Sequence, residues 1–162
     1  MNATENIENQ SNTHPSGAGE HSSINEIQDQ IVEEFELFDD WADKYEYIID
    51  LGKKLRPFPE EEKTEENIIK GCQSRVWLNA KMEGENLVFE ADSEAIIVKG
   101  LVSMLIRVLS NHKPKDIANA ELYFIDKIGM TSHLAQTRSN GLASMAKQMK
   151  NYGIAFDLLN QK

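Results

Sequence analysis

Residues 76–91 read Val76-Trp77-Leu78-Asn79-Ala80-Lys81-Met82-Glu83-Gly84-Glu85-Asn86-Leu87-Val88-Phe89-Glu90-Ala91, and this stretch decides the fold class. Val76, Leu78, Ala80 and Met82 alternate with Trp77, Asn79 and Lys81, a period of two that predicts a strand with one buried face. Glu83 to Asn86 carries turn chemistry. Leu87, Phe89 and Ala91 then resume the alternation, so the pair predicts a β-hairpin. Behind it, Asp92-Ser93 offers side chains that can cap a helix. From Ala95 to Leu109 the chain is apolar on nearly every side, which predicts a helix at the buried centre of a domain. That helix is too short, and too interrupted by Lys99 and Arg107, to cross a bilayer. A hairpin beside a buried helix predicts an α+β fold, a small antiparallel β-sheet packed against several helices.

Upstream, Ile24, Ile27, Ile31, Phe35 and Phe38 recur at spacings of three and four, one stripe of an amphipathic helix. Asp39 and Asp40 end it and cap a second helix marked by Trp41, Tyr45, Ile48, Ile49 and Leu55, with a break expected near Gly52. The glutamate- and proline-rich stretch from Arg56 to Lys70 reads as an exposed connection. Downstream, Asn111 to Pro114 stops the central helix and Asp116 is expected to cap a short turn. Leu122 to Ile128 predicts a short helix closed by Gly129, followed by an irregular polar segment from Met130 to Asn140. Leu142, Met145, Ala146 and Met149 stripe a last helix, with Ser139 as its N-cap and Gly153 as its stop. Residues 1–23 hold almost nothing to bury and read as a disordered tail, leaving residues 24–162 as one domain.

The net charge is −10, and the acidic excess lies in residues 1–70. An acidic chain repels phosphate backbones, which argues against a nucleic-acid partner, and most of these charges read as solvated helix faces. The first residues lack the basic and apolar regions of a secretory signal, and no apolar run suits a membrane span. One cysteine permits no internal disulfide, which fits a cytoplasmic location.

That cysteine, Cys72, sits in Lys70-Gly71-Cys72-Gln73-Ser74-Arg75, where the long connection meets the first strand. Lone cysteines are mostly inert core residues. Here the neighbours are not core residues, Gly71 permits a tight turn, and Lys70 and Arg75 are expected to favour the thiolate. A second polar cluster comprises Thr131, Ser132, His133 and Arg138 to Gly141. Arg138, placed just before the last helix, suits an anion beside free backbone N–H groups, and a surface salt bridge explains it equally well. His133 reads better as a hydrogen-bonding residue than as a base. One Cys and four unclustered His give no metal-ligand spacing, and no phosphate-binding glycine loop is present.

At Gly71-Cys72-Gln73-Ser74 and Val76-Trp77 the chain resembles the SufE family of sulfur-acceptor proteins. The likeness also takes in Trp41, Lys44, Tyr45, Ile48, Ile49 and Gly52. It continues through Asp92-Ser93 and Ile97-Val98-Lys99-Gly100-Leu101 to His133-Leu134, Arg138-Ser139 and Gly141-Leu142, in order along residues 35–150. The resemblance implies an α+β fold similar to IscU-type scaffolds. It implies a partner of a SufS-type, PLP-dependent cysteine desulfurase, with the CsdA-type enzymes as the other branch. Cys72 would take sulfur as a persulfide and carry it to the SufBCD scaffold for iron–sulfur cluster assembly. PLP belongs to the desulfurase, and no cofactor is expected on this chain. Gly71, Gln73, Ser74 and Arg75 would support the thiol, with His133 and Arg138 as supporting or partner-binding residues. A homodimer is left open.

The other readings make different demands. A cysteine hydrolase would need Cys72 in contact with His133. A cluster scaffold would need several thiolate ligands, which one cysteine cannot supply. A plain globular domain with an inert thiol would alkylate slowly at Cys72 both alone and beside any desulfurase.

Overall fold

The structure, a computed structural model, describes residues 22–161, so most of the segment read as a tail lies outside it. Ser23 starts helix α1 (Ile24–Phe35) with a capping box. Its hydroxyl accepts from the Glu26 N–H at 3.0 Å, while the Glu26 carboxylate accepts from the Ser23 N–H at 2.9 Å. The helix stops at Phe35 rather than continuing to Phe38. Asp40 caps α2 (Trp41–Lys53) by accepting from the Asp43 N–H.

The break expected at Gly52 does not occur. Gly52 is buried within α2, against Gly100 of the central helix α3 (Ile96–Leu109). A Cβ on Gly52 would stand 2.7 Å from the Gly100 nitrogen, and one on Gly100 would overlap the Ile48 carbonyl. The glycines let two backbones touch, and neither ends a helix.

The hairpin forms as expected from β1 (Val76–Glu83) and β2 (Asn86–Ser93), antiparallel, with Val76 opposite Ser93 and Glu83 opposite Asn86. Gly84, at φ 65°, makes the two-residue turn possible. On the inner face, Val76, Leu78, Leu87, Phe89 and Ala91 are buried in one core with Val98, Leu101, Val102 and Leu105 of α3. The outer face is covered too, contrary to the exposed connection expected over 56–70. Two short 3-10 turns (Glu60–Glu62 and Glu65–Asn67) fold this segment over the strands. Phe58 and Ile69 are buried, the Ile69 N–H donates to the Val76 carbonyl, and Lys63 lies over the Trp77 ring while pairing with Asp92 at 3.1 Å. A connection rich in glutamate therefore serves as the missing layer of a two-stranded sheet.

Asp92 and Ser93 satisfy the turn into α3 rather than its helical N–H groups: Ser93 accepts from Ala95, and Asp92 from Ser93. Asp116 does not cap a turn either. It lies inside α4 (Pro114–Ala118), whose N-cap is Lys113 and whose first residue is proline. Next come α5 (Phe124–Lys127), Gly129 at φ 80°, and α6 (Met130–His133). The last helix, α7 (Gln136–Asn160), begins before Ser139 and runs through Gly153. Gly153 packs on α4, where a Cβ would lie 2.9 Å from the Ala118 nitrogen.

Two polar contacts tie the N-terminal helix down. Arg107 grips Glu34 through two hydrogen bonds of 2.8 and 2.6 Å. Gln28, fully buried, donates to the Glu121 carbonyl at 3.0 Å and accepts from the Phe124 N–H at 3.1 Å. The fold is α+β, with α3 at its centre.

Candidate functional site

Cys72 lies on the loop before β1, half-buried against the first turns of α7. Two small residues of α7 create its place. Gly141 faces the thiol, so that a Cβ there would be 3.6 Å from Sγ, and Ser144 lies beneath Gly71. Gly71 has φ 93°, and any Cβ on it would collide with the Ser144 hydroxyl. Glycine at 71 is thus favoured by its left-handed backbone, and a Cβ there would also force the Ser144 side chain to turn aside. The thiol donates weakly to the Gly141 carbonyl at 3.5 Å.

Sγ opens on a cavity of about 220 Å³. Its walls include Gln73, Ser74 and Arg138, and the apolar side chains of Val98, Leu101 and Met145. One water occupies ~30 Å³ of liquid, so one added sulfur atom fits easily. Ala135 and Thr137, at the start of α7, also line it. No side chain caps this helix start, and Arg138 is in its first turn rather than before it. Early N–H groups of a helix lack intrahelical acceptors, so this wall is electropositive. Arg138 is exposed and forms no ion pair among the described residues.

The expectation for the basic neighbours is corrected. Burial pushes the Cys72 thiol up from its ordinary range. Arg75 does not offset this, because its guanidinium binds Glu94 at 2.8 Å and lies over Trp77. At rest the thiol is therefore protected more than activated. Alkylation of the free chain by iodoacetamide is expected to be slow at neutral pH, and to accelerate with pH only above the usual thiol range. A rate profile with its midpoint below that of a small-molecule thiol would contradict this.

His133 does not line this cavity. Its ring stacks on Trp41 with centroids 4.2 Å apart, and Nδ1 is 3.0 Å from the Gly129 carbonyl. The Tyr45 hydroxyl donates to the His133 carbonyl. His133 thus joins α6 to α2. Met145, Val98 and Leu101 are not among the site residues expected from sequence, since nothing near Cys72 in the chain points to them, and Gly141 enters that reading only as the end of the polar cluster after Arg138.

Among the described residues no group of His, Cys, Asp and Glu could hold a metal ion, and no helix is long and apolar enough to cross a membrane. Residues 29–153 match the family model described as "SufE: Fe-S metabolism associated domain". An uncharacterised SufE-like protein of Rhizobium meliloti is 40% identical over 128 residues, covering 76% of this chain and 91% of the relative. Another, from Rhizobium etli, is 43% identical over 127 residues, covering 75% and 86%. A solution structure of a hypothetical protein from Thermus thermophilus superposes with a TM-score of 0.67 at 18% identity, covering 80% of this chain and 94% of that one, a likeness of fold. The family match spans the hairpin, the central helix and the Cys72 cavity together, and the chain belongs to the SufE family, whose domain is associated with iron–sulfur metabolism.

Proposed function

We propose that this chain is a sulfur carrier and desulfurase activator. Cys72 accepts sulfur from a SufS-type cysteine desulfurase and passes it to a SufBCD scaffold for iron–sulfur cluster assembly. The observation that carries this reading is the setting of Cys72. The chain's sole cysteine opens on a cavity large enough for a persulfide and walled on one side by helix N–H groups and Arg138. Family membership supports the same reading.

The transfer balances without an oxidant. The Cys72 thiolate attacks the outer sulfur of the donor persulfide, a new S–S bond forms on Cys72, and the donor leaves as its own thiolate. The electropositive start of α7 favours the anionic persulfide that results. A second thiol nearby would attack it and release the sulfur, and this chain has none. PLP chemistry stays with the desulfurase. A reducing cytoplasm would keep the free thiol available. The hydrolase reading draws no support, because His133 holds α6 against α2 and is not at the thiol's cavity.

Intact mass spectrometry after incubation with cysteine and the desulfurase of the same organism tests this. One added sulfur atom, removable by a reductant, is the expected result; an unchanged mass overturns it. Arg138→Ala is expected to lower stimulation of the desulfurase about tenfold, as loss of one charge-assisted contact would. Its effect on stability should stay within about 0.5 kcal/mol, because the side chain is exposed and unpaired among the described residues. Full stimulation by a folded variant would remove Arg138 from the site.

A further inference from the structure

We propose that the free edge of β2 is a docking groove for an extended, acidic segment of a partner protein, separate from the Cys72 cavity. The hairpin register leads to it. With Glu83 and Asn86 flanking a two-residue turn, hydrogen-bonded pairs recur at Lys81–Val88, Asn79–Glu90 and Trp77–Asp92. The backbone groups of Leu87, Phe89 and Ala91 therefore point away from β1. Leu87 is satisfied on both sides, its N–H by the His112 carbonyl at 2.8 Å and its carbonyl by the Asn111 N–H at 2.7 Å. The Phe89 N–H is met by the Ser110 hydroxyl at 2.9 Å. There the pairing stops. Among the described residues, the Phe89 carbonyl and both backbone groups of Ala91 have no partner, although Ala91 is 2% exposed. Buried backbone groups in proteins pair with protein or with water, so these three are the groups of the edge that an added strand can take up.

A groove of about 610 Å³ lies along this edge. It shares no lining residue with the Cys72 cavity. Leu51, Leu55 and Ile106 give it apolar walls, and Lys54 and Arg56 stand exposed beside it without an ion pair among the described residues. The third cation there, Arg107, is committed to Glu34. Of the two carboxylates in the lining, Glu90 is drawn to Asn79 and Lys81, and Glu83 is exposed at the turn end of the hairpin, opposite Asn86 and far along the strand from Ala91.

An added antiparallel strand would bond one residue to both Ala91 groups and give a further N–H to the Phe89 carbonyl. The residue opposite Ala91 shares its face of the sheet and is therefore apolar. Flanking carboxylates would meet Lys54 and Arg56. A partner could thus be held here while Cys72 remains free to react.

The test uses the full chain and a capped peptide of sequence EEVLVEE, followed by backbone amide NMR and hydrogen exchange. Saturable shifts should centre on Phe89 and Ala91, with the Ala91 amide becoming protected. The basic counterpart KKVLVKK, and an acidic peptide N-methylated at its leucine, should each bind at least about tenfold more weakly. The double change Lys54→Glu and Arg56→Glu should weaken the acidic peptide similarly while leaving sulfur loading on Cys72 unaltered. Equal binding of the acidic and basic peptides, or no shift at Ala91, overturns the proposal. It is also overturned if the Ala91 amide is already protected in the free chain and is released by removing residues 1–21 or by dilution. The groove would then belong to the chain's own terminus or to a second copy.

Discussion

A Cys72→Ser chain is expected to take up no sulfur at all and to leave the desulfurase at its unstimulated rate. The effect should be complete because no other residue of the 162 is a thiol. A serine hydroxyl is nearly isosteric, yet it is not ionised at neutral pH and has no activating base within the cavity. The lining includes no histidine or carboxylate. Stability should change by about 1 kcal/mol or less, the usual size for a half-buried conservative change. Intact mass and desulfurase turnover, compared with a thermal melt of the same variant, separate the two effects. Sulfur gained by the serine chain, or stimulation retained at the wild-type level, would place the acceptor elsewhere.

The second large effect is on stability. Gly100→Ala puts a methyl group into the carbonyl oxygen of Ile48, with the Ile48 Cγ2 only 2.6 Å away. Two competing terms decide the sign. Alanine favours a helix over glycine by about 1 kcal/mol. Overpacking costs typically 1–3 kcal/mol, and a clash with backbone, which cannot rotate aside, belongs at or above the upper end. A net loss of about 2 kcal/mol or more follows, a fall in melting temperature of roughly 4–8 °C for a domain of this size. An unchanged melt would mean that α2 and α3 can separate without cost. The same contact bears indirectly on the site, since α3 supplies Val98 and Leu101 to the Cys72 cavity.

Periodicity made the hairpin and the central helix legible because both signals are local: a period of two over β1 and β2, and an all-apolar run in α3. The misreadings share a different cause. Gly52 and Gly153 look like breaks along the chain, but each permits a close approach to a residue far away in sequence, at Gly100 and at Ala118. The polar start of α7 looks like loop in the sequence because Ser139, Asn140 and Gly141 are weak helix formers individually, whereas the buried residues Leu142, Met145 and Met149 anchor the helix. The segment over 56–70 looked exposed because two buried residues, Phe58 and Ile69, are few against its glutamates. The position of Cys72 was legible, but its protection was not. Its walls come from residues 98, 101 and 135–145, and the expected help from Arg75 fails because Glu94, also distant in sequence, claims that charge.

The buried amide of Gln28 sets an order on synthesis. Its partners, Glu121 and Phe124, lie 93 and 96 positions later in the chain. Helix α1 therefore leaves the ribosome early, can meet α3 through Glu34 and Arg107 once that helix has emerged, and has its seat completed only by Phe124. Until residue 124 has emerged, Ile24, Ile31 and Phe35 have an unfinished floor and Gln28 must keep its bonds to water. A nascent or prematurely ended chain thus displays a greasy helix surface that the finished protein hides, a feature by which cellular quality control can tell one from the other.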